Sequence, residues 1–497
     1  MPTPPKTTLG LWSGRSTFFW AAAAATIGLG NLWHFPWLAS QYGGGYFVLL
    51  YLFFLLVITL PLLLAEAALG RRHRHNLVLA MRSETRDRYL SPRWRWLGRV
   101  SVLSGFLVLS ITLVIGSICL AYVFYGAFGL FGGATPLAMT RMLGQLVESP
   151  YDYRGFMAWH LFFIVLVGAV AFRQRLVERA FRLVMPVFLA LLAGLVWWSW
   201  DQGVGLTALQ SVAGFRWADV GGGTLWFALS HAFYTLGIGL GIWAVLGALM
   251  APGSPFKRAV FGVALLDTVV GVLAGVVIYG IAESLNGSGD GRGFGLVFVA
   301  LPVGLGALEH HQLVATAVFT LIVLVAWTSA LVLAESVVSW LREWVFAPRP
   351  VSVLLVLVCA WLTGLVTLYS FNIWADVQVA GLTPFRWIEL LTSGLLIPAV
   401  AAALAVFLGW MTPVGYLSGL LGDTREWLVT MWRFALRYLL PVVVIVVGVG
   451  YSVMSLKLLC DNGELGWCAP TPNELRGEPS AEDAVETPRG PGKAAEF

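Results

Sequence analysis

The sequence encodes an all-α polytopic membrane protein. Of its 497 residues, 58% are hydrophobic and only 11% charged, and the mean hydropathy is +0.80, well outside the composition of a soluble globular domain. Eleven apolar segments are long enough to cross a bilayer, at 16–40, 45–70, 98–128, 155–172, 178–198, 222–250, 257–283, 311–344, 351–372, 385–410 and 425–455. The motif Ile27-Gly28-Leu29-Gly30 of the first segment returns as Ile238-Gly239-Leu240-Gly241 in the sixth. The copies lie five spans apart in order, an odd offset, so they cross the membrane in opposite senses, as an inverted repeat requires.

The first span is expected to break. Gly28, Gly30, Asn31 and Pro36 stand where a stable helix carries Leu or Ala, so the backbone should unwind between Thr26 and Asn31. Broken backbone at membrane depth is tolerated only where it lines a cavity, which marks a binding site. The segment before this span is short and polar and carries no small-residue cleavage site, so the span reads as an uncleaved helix.

Loop charge orients the chain. Residues 71–99 hold nine arginines, and Arg173, Arg175, Arg179, Lys257 and Arg258 fall on the same side, that of the N-terminus. That side is expected to be cytoplasmic, in a multi-pass protein of the plasma membrane (the inner membrane of a bacterium), with the C-terminus outside. The net charge of +5 therefore concerns topology and not nucleic acid. Trp197, Trp198 and Trp200 close the fifth span as an interfacial belt.

In the sixth span Gly237 extends the second glycine run, so this helix should break too. Two half-unwound helices facing each other direct N–H groups at an anion and freed carbonyls at a hard cation, a site suited to a carboxylate together with Na⁺. Asp267, in FGVALLDTVVGVLAG, is an acid in an apolar span and needs a partner or an ion. Glu309-His310-His311 reads as a solvated loop rather than a metal cluster, since adjacent histidines on a helix diverge. Cys119 and Cys359 read as apolar core residues, and Cys460 and Cys468, in a polar tail from Leu456, admit either a disulfide or two free thiols. With no nucleotide-binding loop, G-x-S-x-G or HExxH, neither an ATP-driven pump nor an intramembrane hydrolase has support; the chain does not read as an enzyme.

GLGNLWHFPWLASQYGGGYFVLLYL with Pro61, Glu66 and Arg71 resembles the first two spans of the neurotransmitter:sodium symporter family. So do ALSHAFYTLGIGLG at 228–241, LLDTVVGVLAG at 265–275, GLVFVALP at 295–302 and AWTSALVLAES at 326–336, within a match spanning 12–455. The resemblance implies the LeuT fold, with five plus five inverted spans and an eleventh. Its division would be a cytoplasmic segment 1–15, a first repeat 16–198, an outer loop 199–221, a second repeat 222–410, the eleventh span 411–455 and a tail 456–497. It implies uptake of amino acids or their derivatives coupled to one or two sodium ions, with no organic cofactor; no oligomeric state follows.

Carried over residue by residue, one sodium site would use carbonyls of Ala24, Ile27 and Val325 with the hydroxyls of Thr328 and Ser329. A hydroxyl inside a helix can equally bond back to its own backbone. The other would use the Thr26 carbonyl, Asn31, Thr235 and Asp267, and the fixed carboxylate implies independence of chloride. The substrate carboxylate would meet amides of Leu29 and Gly30, and its amino group carbonyls of Thr26, Tyr234 and Thr235. Members that carry amines without a carboxylate tend to have aspartate where this chain has Gly28. Val108, Gly237, Leu240, Ala330 and Leu333 would face the substrate side chain, which points to a hydrophobic amino acid, and Thr112 and Ser329 would also belong to the substrate site.

The departures are specific. Ile111 and Thr112 replace a tyrosine pair whose hydroxyl touches the substrate, and Tyr234 in the lid position is expected to supply that hydroxyl instead. His231 replaces a glutamine and is expected near Asp267 and Tyr51, as a proton-coupling or pH-gating site or as a neutral hydrogen-bonded histidine. The outer gate reads His34 with Glu389. At the inner gate Glu343 has lost its arginine to Leu9, with Lys6 as a substitute, and Leu249 replaces a supporting tyrosine; this latch is expected to be weak. These losses motivate a second reading, an amino-acid sensor or regulatory paralogue with little transport.

Overall fold

The computed structural model describes residues 9–283, 293–422 and 424–461. Nine helices among them are continuous, apolar and of spanning length: Gly45–His73, Pro92–Ala127, Tyr153–Ala171, Gln174–Asp201, Phe256–Ile281, His311–Val345, Arg349–Tyr369, Pro384–Trp410 and Glu426–Lys457. The first and sixth spans fall short of that length because both are broken, so the eleven expected spans are present. No strand occurs among the described residues beyond two isolated bridges.

The first span runs as a helix over Thr17–Thr26, leaves it at Ile27 and Gly28, resumes over Leu29–Leu32 and, after a bend at Trp33, continues over His34–Gln41. The sixth is helical over Gly222–Thr235 and again over Ile242–Leu249. Between these halves Gly237, Gly239 and Gly241 take φ of +63°, +80° and +72°, conformations that disfavour any side chain. Space also demands glycine: a Cβ on Gly239 would stand 2.9 Å from the Ile397 carbonyl oxygen, and one on Gly241 2.6 Å from Ser101 Oγ.

Four helices carry a widened π turn, at Leu55–Thr59, Leu296–Ala300, Leu390–Leu396 and Ala435–Leu439. Each ends two residues before a proline, respectively Pro61, Pro302, Pro398 and Pro441. A proline inside a helix has no N–H to give the preceding turn, and the ladder there slips to the wider spacing.

Small residues bring the second span against the lower half of the sixth. A Cβ on Gly70 would lie 1.8 Å from the Ala244 carbonyl oxygen and one on Gly247 2.1 Å from that of Ala67, so the two backbones touch. Cys119 is buried as expected, but Cys359 is exposed on the outer face of its span and is no core residue. The pairing of Cys460 with Cys468 lies outside the described residues, as does Lys6.

Candidate functional site

The first break is closed by its own side chain. Asn31 Oδ1 accepts from the Gly28 amide at 3.0 Å, and Asn31 Nδ2 donates to the Asp267 carbonyl at 3.4 Å. Unwinding is thereby confined to Ile27 and Gly28, narrower than the Thr26–Asn31 stretch expected. Leu29 and Gly30 open the next half-helix, and the amides of such a first turn have no partner inside their own helix.

Two oxygen clusters flank the break. On one side Ser329 Oγ stands 3.5 Å from both the Ala24 and the Ile27 carbonyl oxygens. Thr328 Oγ1 donates to the carbonyls of Leu324 at 2.9 Å and Val325 at 3.1 Å. All five expected oxygens enter these contacts, Ala24, Ile27 and Ser329 in one set and Val325 and Thr328 in another, and the Thr328 hydroxyl is spent on back-bonds to its own helix. On the other side Asp267 is fully buried. Its Oδ2 accepts from Tyr51 at 2.7 Å and Thr235 at 3.2 Å, and its Oδ1 is buried without a hydrogen-bond partner. A buried carboxylate with an orphan oxygen, beside Asn31 and Thr235, is a donor set that fits a hard cation. The hydroxyl of the nearby buried Thr26 turns back to Ala23 at 3.3 Å.

The second break is organised by an acid whose role the sequence reading missed. Glu66, fully buried on the second span, accepts from the Gly239 amide at 3.1 Å and the Trp243 amide at 3.2 Å. Trp243 Nε1 donates to the Leu236 carbonyl at 2.7 Å. The signal was available: Glu66 in PLLLAEAALG is as costly in an apolar span as Asp267.

On the substrate side, Leu240, Ala330 and Leu333 are buried, and Val108 and Gly237 are half-buried. Thr112 Oγ1 is spent on the Val108 carbonyl at 2.8 Å. Tyr234 does not offer its hydroxyl to the space between the breaks: it donates to the Ser393 carbonyl of the tenth span at 2.6 Å, which corrects the expectation that it replaces the missing tyrosine. His231 is buried 5.5 Å from the Tyr51 ring and 5.3 Å from His34. It makes no hydrogen bond to Asp267, whose Oδ2 Tyr51 and Thr235 occupy.

Both gates differ from expectation. His34 stacks on Trp37 at 6.2 Å, while Glu389 binds Arg386 at 3.1 Å and the Tyr451 hydroxyl at 2.9 Å. No hydrogen bond or ion pair joins His34 to Glu389 among the described residues, because Arg386, one turn earlier on the same helix, holds the acid. At the arginine-rich end Glu343 is not left unpaired: His75 Nδ1 lies 2.6 Å from Oε1, and the Asn76 amide at 2.9 Å and its side chain hold Oε2. The N-terminal segment has a separate anchor. Glu178 Oε1 accepts from the Ser13 amide at 2.8 Å, Ser13 Oγ at 2.7 Å, the Gly14 amide at 3.0 Å and Thr17 Oγ1 at 3.0 Å. The Trp12 amide donates to the Leu249 carbonyl at 2.9 Å, and Leu9 and Trp12 are buried. Two carboxylates thus hold this end in place of the expected arginine pair: Glu343 through His75 and Asn76, and Glu178 through Ser13, Gly14 and Thr17, with Arg182 of its own helix 3.8 Å away.

Some arginines of the 71–99 run do more than orient the chain. Arg71 donates to the Leu420 carbonyl at 2.6 Å, and Arg74 to those of Ala248 at 3.1 Å and Met250 at 2.6 Å, ending the sixth span. Burial pushes the Glu84 carboxyl up, but His73, the Tyr416 hydroxyl and Arg88 outweigh it and hold the group below the usual carboxylate range.

A family model described as the sodium:neurotransmitter symporter family matches residues 10–131. An uncharacterized sodium-dependent transporter of Bacillus subtilis, YhdH, is 27% identical over 450 residues, covering 88% of this chain and 96% of that one. An uncharacterized sodium-dependent transporter of Haemophilus influenzae is 24% identical over 452 residues, with the same two shares. The crystal structure of MhsT in complex with L-phenylalanine is similar with a TM-score of 0.76 at 26% identity, over 88% of this chain and 99% of MhsT.

Proposed function

We propose that this chain, which is similar to the sodium:neurotransmitter symporter family and has the LeuT fold, is a sodium-coupled symporter of amino acids working by alternating access. The observation that carries the reading is the approach of Ser329 Oγ to the carbonyls of Ala24 and Ile27, 3.5 Å each, which ties the eighth span to the first at its break. A sodium ion among these oxygens would hold the two spans together, and its loss would let them part.

A second ion, at Thr26, Asn31, Thr235 and Asp267, would neutralise the carboxylate whose Oδ1 lacks a partner. Because that charge is built into the protein, transport does not need chloride. The substrate carboxylate meets the amides of Leu29 and Gly30, its amino group the carbonyls of Thr26, Tyr234 and Thr235, and its side chain the apolar wall of Val108, Leu240, Ala330 and Leu333. Such a wall favours a hydrophobic amino acid, in keeping with the L-phenylalanine bound to MhsT. Residues 16–198 and 222–410 act as the two repeats, and the arginine-rich end faces the cytoplasm. The anchoring of Glu343 and Glu178 weighs against the sensor reading so far as that rests on the arginine lost at Leu9.

Thermal stability of the purified protein with each common amino acid, in sodium and again in potassium, tests this. Stabilisation by an apolar amino acid in sodium alone is expected, with accumulation in proteoliposomes under an inward sodium gradient. Equal stabilisation in potassium, or binding without accumulation, contradicts symport.

A further inference from the structure

Two hydroxyls that could meet a carboxylate between the breaks are committed elsewhere: Thr112 to the Val108 carbonyl and Tyr234 to that of Ser393. A further polar side chain stands beside Gly30. Outside its own stretch of helix, a Cβ built on Gly30 would meet His231 Cε1 at 3.7 Å. Nε2 is bonded directly to that carbon, and it is buried without a hydrogen-bond partner. His231 is only 6% exposed, and its ring is fixed by aromatic contacts with His34 at 5.3 Å, Tyr51 at 5.5 Å and Phe35 at 5.6 Å. A buried ring nitrogen with no partner is a costly feature unless a ligand group completes it.

We infer that His231 is a substrate-binding residue, whose Nε2–H donates to the carboxylate of the amino acid held at the amides of Leu29 and Gly30. This deepens the amino-acid reading above and rests on it. The donor takes the place of the phenol that the third span has lost, and it comes from the sixth span one turn before Thr235. A neutral imidazole with its proton on Nε2 suffices. Packing against Phe35 and Tyr51 holds the ring, so the donor is set before the substrate arrives.

The test compares an amino acid with its carboxamide. Affinities of the full-length protein in sodium are measured for L-phenylalanine and L-phenylalaninamide in the wild type, His231→Leu and His231→Gln. The Leu variant should bind L-phenylalanine about tenfold to a hundredfold more weakly while its affinity for the amide changes little, so the preference for acid over amide collapses. The Gln variant, which keeps an N–H donor, should restore most of that preference. Equal losses for acid and amide, or no loss for either, would overturn the assignment and leave His231 a packing residue. If the wild type binds neither L-phenylalanine nor any other amino acid in sodium, the transport reading falls first and this inference with it.

Discussion

The two broken helices share a four-residue motif but treat their freed backbone differently. In the first, the gap is two residues wide, a neutral side chain closes it, and the carbonyls of Ala24 and Ile27 face a hydroxyl of another span. In the second, the gap runs from Leu236 to Gly241, and Glu66 takes the Gly239 and Trp243 amides for itself. A break whose donors are satisfied by a resident carboxylate has less to offer a ligand and serves as a fixed wall. On the proposed function the polar groups of the first break are the ones left for ions and substrate, so the similar motifs do not imply equal roles.

The largest effect that would separate the breaks is at Glu66. Glu66→Ala leaves two buried amides without an acceptor and should cost about 3 kcal/mol or more of stability, seen as a lower unfolding temperature in sodium and in potassium alike. If the unfolding temperature stays put, the second break does not depend on this acid.

Asp267→Asn should leave the fold intact, since an amide can still accept from Tyr51, and reduce the apparent sodium affinity about tenfold or more. Uptake should then be stimulated by chloride in place of gluconate, which the native protein should not show. Ser329→Ala removes one neutral oxygen from the other cluster and should weaken sodium about threefold to tenfold, with little change in stability in potassium.

The smallest effect concerns the arginine-rich end and should not touch the ion response. The Glu84 carboxyl is held below its ordinary range, so it contributes stability above that range that is lost as pH falls through its folded value. Unfolding temperature should therefore drop on acidification through this window, and Glu84→Gln should flatten the drop while leaving the sodium dependence at neutral pH unchanged. A sodium response that shifts with Glu84→Gln would mean that this end is coupled to the site.

Legibility followed the range of the interaction. The break at Gly28 and the glycine turn at 237–241 could be read because helix failure is decided locally, by torsion and missing hydrogen bonds. Asp267 could be read because a charge in an apolar span announces itself, and Glu66 should have been read on the same ground. Tyr234 and the His34–Glu389 gate could not: the tenth span supplies both the Ser393 carbonyl and the nearer Arg386, and sequence alone does not say which of these a side chain will reach. The substitutes for the missing inner arginine were equally hidden. Glu178 and Ser13 are 165 positions apart, and His75 and Glu343 268, and neither pair carries a motif.

The residues by themselves determined the membrane class, the eleven spans, the two breaks and the oxygen-bearing residues around them, all of which follow from hydropathy and backbone chemistry over a few turns of helix. Only the tertiary structure decided which carboxylate serves which helix. A buried acid accepts from the donors that packing brings within about 3 Å, and packing is set by contacts that no local stretch of chain contains.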